Sequence, residues 1–128
     1  MATQSTAQLK NYRQSPRKVR LVADLVRGKN VAHAIALLAT LPKRASLPME
    51  KLLLSVVANS GSLANELYVE KIEVNGGVIF RRTMPRARGR GSMIKKKSSH
   101  ITLSLGAAKP KAVKPVSKKT SQQTRREK

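Results

Sequence analysis

A single basic segment, RRTMPRARGRGSMIKKKSSHI at positions 81–101, contains the residues whose types and spacing could support chemistry. Arginine guanidinium groups form paired hydrogen bonds with phosphate oxygens, glycine allows close backbone approach, and proline restricts the local chain. Residues 81–97 contain no acidic side chain that could neutralise this charge internally. We therefore predict a phosphate-binding segment, whose basic residues are Arg81, Arg82, Arg86, Arg88, Arg90, Lys95, Lys96 and Lys97.

Catalytic chemistry has little support in the rest of the sequence. The carboxylates before residue 106 are scattered over separate predicted elements with no paired acid–base spacing: Asp24, Glu50, Glu66, Glu70 and Glu73. The lack of cysteine excludes a cysteine nucleophile, a zinc ribbon and a disulfide framework, and His33 and His100 are too few for a metal site. The GRG at positions 89–91 is too short for a dinucleotide-binding fingerprint. We expect a binding protein without catalytic residues, cofactor or metal.

The net charge of +21 over 128 residues requires an anionic partner, because a compact body with this charge would repel itself. The length fits one domain with appendages. Residues 1–80 carry a net charge of only +6, while residues 106–128 carry +7. No apolar stretch approaches the roughly 18 residues of a membrane span, and the N-terminus lacks a secretory signal. We expect a soluble, cytoplasmic protein bound to a polyanion.

The segment SPRKVRLVADLVRGK at positions 15–29 predicts a helix with both ends marked. Ser15 is a candidate cap, Pro16 suits the first helical position, and Gly28 suits the residue after the end. The predicted apolar stripe comprises Val19, Val22 and Val26, widened by Leu21 and Leu25.

The charges of this helix favour an external anion. Arg17 and Lys18 lie in its first turn, where the helix dipole disfavours cations. Their placement is explained if they bind an anion outside the chain. The alternative is a solvated basic face with an Arg20–Asp24 pair.

Two further helices are predicted before the strands begin. Asn30 is a candidate cap for a short helix through VAHAIALLATL, which Pro42 ends. The next helix runs from about residue 44 to 60, with Pro48 in its first turn and Gly61 as its stop. Its apolar face comprises Leu53, Val56, Val57 and Ser60, broadened by Leu52 and Leu54.

Two segments predict strands. The segment LYVEKIEV, positions 67–74, places Tyr68, Ile72 and Val74 on one side of a strand and Val69 on the other. The segment HITLSL, positions 100–105, alternates regularly, so that Ile101, Leu103 and Leu105 share one side of the second strand. Between them, NGG at positions 75–77 is a strong signal for a tight hairpin. The alternative is a bulge there, with both strands continuing to a turn near residues 88–91. Periodicity leaves both open.

A long two-stranded ribbon with basic side chains on both faces would have no core of its own. Such a ribbon fits within folded RNA, whereas duplex DNA would contact one face. The runner-up is a nucleoid-type DNA compactor, because charge alone does not separate DNA from RNA. The aromatic residues Phe80, Tyr12 and Tyr68 are too few and too scattered for base-stacking surfaces, which argues against a single-strand binder of the RRM or OB type but does not exclude DNA. A cationic membrane-surface protein ranks third, since no helix pairs bulky aromatic residues with a Lys-rich face.

The C-terminal segment GAAKPKAVKPVSKKTSQQTRREK, residues 106–128, predicts a disordered tail, because it contains Lys and Pro but almost no bulky apolar residue. It is either a solubilising tail or an arm that binds phosphates.

The motifs SPRKVRLVADLVRGK, Ala58-Asn59 and RRTMPRARGRGSMIKKKSSHITLSL resemble the bacterial large-subunit ribosomal protein L twenty-two family over about residues 8–105. The resemblance implies an α+β fold with three helices packed on a small antiparallel sheet and a long protruding β-hairpin. Residues 1–105 would form one domain, with a globular part at about 5–75 and 100–105, a hairpin at about 76–100 and its tip at 84–92. This favours the long ribbon over the local turn.

The resemblance also implies a function, a location and a site. A member of this family is a structural, non-catalytic constituent of the cytoplasmic large subunit that binds 23S-type rRNA and aids early assembly. Its partners would be that rRNA, neighbouring large-subunit proteins and the nascent peptide, with no membrane and no small-molecule substrate. The hairpin would line the peptide exit tunnel and bind rRNA through Arg81, Arg82, Met84, Pro85, Arg86, Arg88, Gly89, Arg90, Lys95, Lys96 and Lys97. The body would bind rRNA through Ser15, Arg17, Lys18, Arg20, Arg27 and Lys29.

Overall fold

The computed structural model describes residues 5–107, which form three helices on one face of a three-stranded antiparallel sheet. This confirms the predicted α+β class. The elements are β1 (Ser5–Tyr12), α1 (Pro16–Val26), α2 (Val31–Thr40), α3 (Ser46–Ser60), β2 (Tyr68–Pro85) and β3 (Gly91–Gly106), with a single 3₁₀ turn, Ala87–Gly89, between β2 and β3. The predicted tail lies outside the described residues from position 108 onward.

Local signals in the sequence set the ends of the helices. Pro16 opens α1, and the side chain of Asn30 caps α2 by accepting a hydrogen bond from the Ala32 amide at 2.9 Å. Gly61 ends α3 in the left-handed conformation, with φ of 63°. The predicted side-chain cap at Ser15 is not formed, and the Lys18 amide, which such a cap would use, donates instead to the Ser15 carbonyl at 3.0 Å. The other ends of the three helices lie within two residues of their predicted positions.

The core is built from aliphatic side chains of the helices and the sheet. Val19, Val22 and Val26 of α1 are buried as predicted, but Leu21 and Leu25 are 66% and 48% exposed. The stripe that contacts the sheet is completed by Ala23 instead. The larger leucines lie beyond its edges because the helical repeat rotates them away. On α3, Met49, Leu52, Leu53 and Val56 are buried, whereas the predicted core residue Leu54 is half exposed.

The sheet has the order β1–β3–β2, so the last strand in sequence is central. Ile101, Leu103 and Leu105 of β3 are fully buried, as their alternation predicts. Val69 of β2 is also buried, contrary to the prediction that it faces away from Ile72. A bulge between Val69 and Lys71 adds one residue to β2 and therefore turns both side chains into the core.

The first strand has no clear signal in the sequence. STAQLKNY contains one β-branched residue and reads poorly as a strand. It nevertheless pairs with β3 from Ser5 opposite Leu105 to Leu9 opposite Ile101, and so covers the edge of β3 that β2 leaves free.

Strands β2 and β3 continue beyond the core as a long hairpin. The register shifts between Gly76 and Ile79, and pairing then runs without a break from Ile79 opposite Lys97 to Pro85 opposite Gly91. The bulge with a distant turn is thus confirmed, and the tight turn at positions 75–77 does not form. We call residues 77–98 the hairpin extension.

Close approach of two side chains explains why position 77, within the bulge, is a glycine. A side chain on Gly77 would place its Cβ 2.6 Å from Ser98 Oγ and 2.9 Å from His100 Nε2. Neither atom can easily give way, because the Ser98 hydroxyl donates to the Val78 carbonyl at 2.7 Å and His100 Nδ1 accepts from the Asn11 amide at 3.1 Å.

We expect Gly77→Ala to lower the free energy of unfolding by about 1–3 kcal/mol, because the added methyl group has no space. Gly76→Ala is the matched control, since its Cβ would meet only Pro16 Cγ, at 4.0 Å, and the change should stay within about 0.5 kcal/mol. Urea denaturation of both variants measures the difference. Equal stability of the two would show that the bulge does not depend on this approach.

Candidate nucleic-acid interface

One face of the hairpin extension, here the Phe80 face, alternates cations with apolar side chains. Directly opposed residues of paired strands share a face of the sheet. Phe80 lies opposite Lys96, and Arg82 lies opposite Ile94. All four side chains are exposed. This face has no apolar layer to cover it, so its cations are available to a ligand.

The other face, here the Arg81 face, places two cations side by side. Arg81 lies directly opposite Lys95, and Ile79 lies opposite Lys97. Like charges in this relation destabilise a strand pair. An anion between Arg81 and Lys95 would remove the repulsion. Both faces of the ribbon are therefore basic, as the sequence predicted.

The tip of the hairpin extension brings the remaining predicted arginines together. The Arg86 amide donates to the Arg90 carbonyl at 2.7 Å and closes the turn, in which Arg88 and Gly89 have φ of 58° and 64°. The Arg86 guanidinium also donates to Ser92 Oγ at 3.3 Å. Residues 81–91 are all exposed, including the predicted tip residues Met84 and Pro85. The turn is held by its own backbone, and its guanidinium groups project from it without a covering layer.

A groove of about 1310 Å³ separates the hairpin extension from the body. We call it the basic groove. No acidic side chain is found among the described residues that line it. Its basic side chains are Arg13, Lys18 and Arg44 from the body and Arg81, Arg82, Lys95, Lys96 and Lys97 from the hairpin extension. The arrangement can hold several phosphates but offers no acid–base pair for catalysis.

Two of these basic lining residues, Arg13 and Arg44, were not singled out from the sequence. Arg13 and Arg44 lie in connecting segments, and the Tyr12 hydroxyl donates to the Arg44 carbonyl at 3.2 Å. The Arg13 guanidinium lies 5.6 Å from the centroid of the Phe80 ring, a cation–π distance. Only the folded chain brings position 13 to position 80, so no local pattern in the sequence identifies this pair.

The beginning of α1 also faces the base of the hairpin extension. A smaller cleft of about 290 Å³ is lined by Ser15, Arg17 and Arg20 on one side and by Gly77 and Lys97 on the other. Arg17 is exposed and Ser15 is half buried. The structure thus brings these predicted body residues next to the predicted hairpin residues.

Two predicted body residues instead serve the fold. The Arg20 guanidinium donates to the Val74 carbonyl through Nε at 3.1 Å and Nη2 at 2.9 Å. Arg27 donates to the Ile72 carbonyl at 3.2 Å and pairs with Asp24 at 2.7 Å, so Asp24 pairs with Arg27 and not with Arg20 as in the alternative interpretation of this helix. Both guanidinium groups therefore bind backbone carbonyls on the edge of β2 that is not paired with β3.

Lys29 contributes its backbone to the same edge. Its carbonyl accepts from the Val69 amide at 2.9 Å, next to the Gly28 amide, which donates to the Val69 carbonyl at the same distance. The segment that follows α1 therefore acts as a short partner for β2. Lys29 is half buried, unlike the exposed Arg17 and Lys18.

The acidic side chains within residues 5–107 do not line the basic groove. Lys71 pairs with Glu73 at 2.6 Å on β2. The hydrogen bond and the charge of Glu73 both raise the pKa of Lys71 above its usual value. Within residues 5–107, no three His, Asp or Glu side chains converge to hold a metal ion, and no helix is long and apolar enough to cross a membrane.

Comparison with known proteins identifies relatives that cover most of the chain. The sequence profile of the family described as ribosomal protein L22p/L17e matches residues 7–106. The "Large ribosomal subunit protein uL22" of Herpetosiphon aurantiacus is 48% identical over 104 residues, which are 78% of this chain and 92% of that protein. Proteins with the same name from Pelobacter propionicus and Caldicellulosiruptor saccharolyticus are 46% and 45% identical over 110 and 105 residues. These matches cover 83% and 79% of this chain and 99% and 86% of the two relatives.

The two classes of arginine on α1 should respond differently to substitution. We expect Arg20→Ala to lower the free energy of unfolding by about 1 kcal/mol, because it removes two charge-assisted hydrogen bonds to Val74. Arg17→Ala, which removes the same charge from the same helix, should change it by less than about 0.5 kcal/mol. Urea denaturation distinguishes them, and equal losses would contradict a structural role specific to Arg20.

Proposed function

Because the chain belongs to the ribosomal protein L22p/L17e family, whose members are structural constituents of the large ribosomal subunit, we propose that it binds the rRNA of that subunit through the hairpin extension and the basic groove. The observation that carries the proposal is a two-stranded ribbon with cations on both faces and no core. The ligand that this ribbon requires is anionic and surrounds it.

Folded RNA satisfies both requirements. Its phosphates can lie against the Phe80 face and the Arg81 face at the same time, whereas a DNA duplex meets one face of a ribbon. The basic groove adds a third surface, since Arg13, Lys18 and Arg44 approach the hairpin extension from the body. An RNA strand in the groove would neutralise charges from both parts. This geometry favours RNA over the DNA-compactor alternative.

The exposed part of α1 extends the proposed interface. Arg17 lines the smaller cleft together with Lys97, and Lys18 lines the basic groove, with no acidic residue among the described lining residues of either. They remain the body residues that we assign to rRNA binding, with Ser15 beside them. The other predicted body residues contribute to rRNA binding mainly through their hydrogen bonds to the edge of β2, which hold that strand in place: Arg20, Arg27 and Lys29.

The role of the hairpin tip within the subunit is inferred from the resemblance of its sequence to the family. We propose that the hairpin tip around Arg86, Arg88 and Arg90 lies where large-subunit rRNA and the nascent peptide meet in the exit tunnel, and that the protein joins the subunit early in assembly. Neighbouring large-subunit proteins would contact the body. The location is the cytoplasmic ribosome, and no catalytic step is assigned. The predicted Lys/Pro tail would add further phosphate contacts.

We expect the protein to sediment with the large subunit in a sucrose gradient of cell lysate at low salt, because rRNA neutralises its charge. An antibody against the chain, or an epitope tag, detects it across the gradient. Its presence only in DNA-containing fractions would support the nucleoid alternative, and its absence from the large-subunit peak would refute the proposed function.

Replacing Arg86, Arg88 and Arg90 with Ala should weaken binding to rRNA and incorporation into subunits, while the body folds as before. Each lost phosphate contact should reduce the slope of log affinity against log salt by about 0.7–0.9. The matched control replaces Lys10, Lys43 and Lys51, which are exposed and outside the basic groove, and removes the same charge.

Competition with the wild-type chain during reconstitution of subunits measures incorporation, and circular dichroism measures folding. The tip assignment predicts a larger loss for the arginine triple variant than for the lysine triple variant. Equal losses would show that only net charge matters, and unfolding of the arginine variant would show that the tip belongs to the core.

A further inference from the structure

Phe80 is the only phenylalanine of the chain and lies outside its hydrophobic core. It follows the bulge at Gly76–Ile79, where the sheet has lost its helical cover, and it is 52% exposed. The cross-strand neighbour of Phe80 is Lys96. An aromatic ring in this position contributes little to the core and leaves much of its surface open to a ligand.

The ring is nevertheless held in a defined place. The Arg13 guanidinium lies 5.6 Å from its centroid and joins the segment after β1 to the hairpin extension. Arg13 is exposed and occupies one side of the ring, while about half of the Phe80 surface remains open in the basic groove. The cation–π contact therefore orients the ring without burying it.

The surroundings of the ring define the chemistry of its ligand. Lys96 lies opposite Phe80, Arg82 follows on the same face, and no acidic side chain is among the described residues that line the groove. An aromatic ring set in a positively charged groove is the arrangement with which proteins bind unpaired nucleotides, the base stacking on the ring and the phosphates contacting cations.

We propose that Phe80 stacks on one unpaired base of RNA, whose flanking phosphates bind Lys96 and Arg82. This rests on the proposed rRNA-binding function and adds to it that the nucleotide in the groove is single-stranded. A base within a duplex stacks on its neighbours and has no free face for the ring. Among the described lining residues Phe80 is the only aromatic one, so the site takes one base and not a run.

The other two aromatic residues do not extend the platform. The Tyr12 hydroxyl is bonded to the Arg44 carbonyl, and Tyr68 pairs within the sheet opposite Gly106. The single platform is therefore consistent with a protein whose main contacts are to phosphates and which reads one exposed nucleotide among them.

Substitution by tryptophan provides a direct probe, because the chain contains no Trp. The full-length Phe80→Trp variant is titrated with single-stranded oligoadenylate of about twelve nucleotides, and separately with the duplex of that strand and oligouridylate. We expect the single strand to quench the fluorescence of the new indole through base stacking and the duplex to leave it largely unchanged.

The second arm measures affinity. Phe80→Leu retains an apolar side chain and removes the ring, and it should weaken binding of the single strand at least about fivefold, the loss expected for one stacked base. Affinity for the duplex should not change. Met93→Leu is the matched control, since Met93 is an exposed apolar residue of the hairpin extension that does not line the groove.

The outcomes separate this inference from the function on which it rests. The inference would be wrong if Phe80→Leu left the affinity for the single strand unchanged, or if strand and duplex quenched the fluorescence equally. Either result would show that Phe80 serves only to hold the hairpin extension against the body through its contact with Arg13. RNA binding itself would then remain intact. Failure of the wild-type chain to bind either RNA at low salt would instead overturn the proposed function.

Discussion

One constraint governs the structure: the hairpin extension carries positive charge at high density. Its two strands are held together only by the hydrogen bonds between their backbones. From Ile79 to Pro85 and from Gly91 to Lys97, the ladder of β2 and β3 has no apolar layer on either face. The opposition of Arg81 and Lys95 adds repulsion to this ladder. Within residues 5–107 the body offers no contact that offsets this repulsion, and the anionic partner that we propose would offset it. The concentration of basic residues at positions 81–97 therefore supports the proposal that an anionic partner binds along the ribbon.

The body is arranged to hold the base of this ribbon firmly. Arg20 and Arg27 donate to the carbonyls of Val74 and Ile72, and the segment after α1 pairs with Val69. These contacts occupy the free edge of β2, which would otherwise be open to pairing with other chains. On the opposite side β1 covers β3. A rigid base allows a ribbon without a core to project in one direction, and the close packing at Gly77 shapes the point where it leaves the body.

Sequence predicts those parts of the molecule that short-range chemistry determines. The positions of Pro16, Asn30 and Gly61 mark helix ends because capping and backbone conformation act within a few residues. Alternation identifies Ile101, Leu103 and Leu105 for the same reason. Tertiary context decides the rest: a single extra residue in β2 turns Val69 inward, and the width of the contact with the sheet leaves Leu21 in solvent. The strand β1 forms because β3 has a free edge, and nothing within residues 5–12 reveals that edge.

The residues of the candidate interface also fall into two groups, those that the local sequence predicts and those that only the folded chain brings together. Its basic segment is visible in the composition of residues 81–97, and the exposure of those residues agrees with the expectation. The approach of Arg13 to Phe80 and the diversion of Arg20 to the fold depend on long-range packing, and so they emerge only from the structure.

An electron cryomicroscopy map of the intact large subunit that contains this chain would test directly whether rRNA surrounds the hairpin extension. We predict rRNA phosphates against both faces of the hairpin extension, with density between Arg81 and Lys95 and along the basic groove. A hairpin extension that lies in solvent, or that packs mainly against protein, would contradict it.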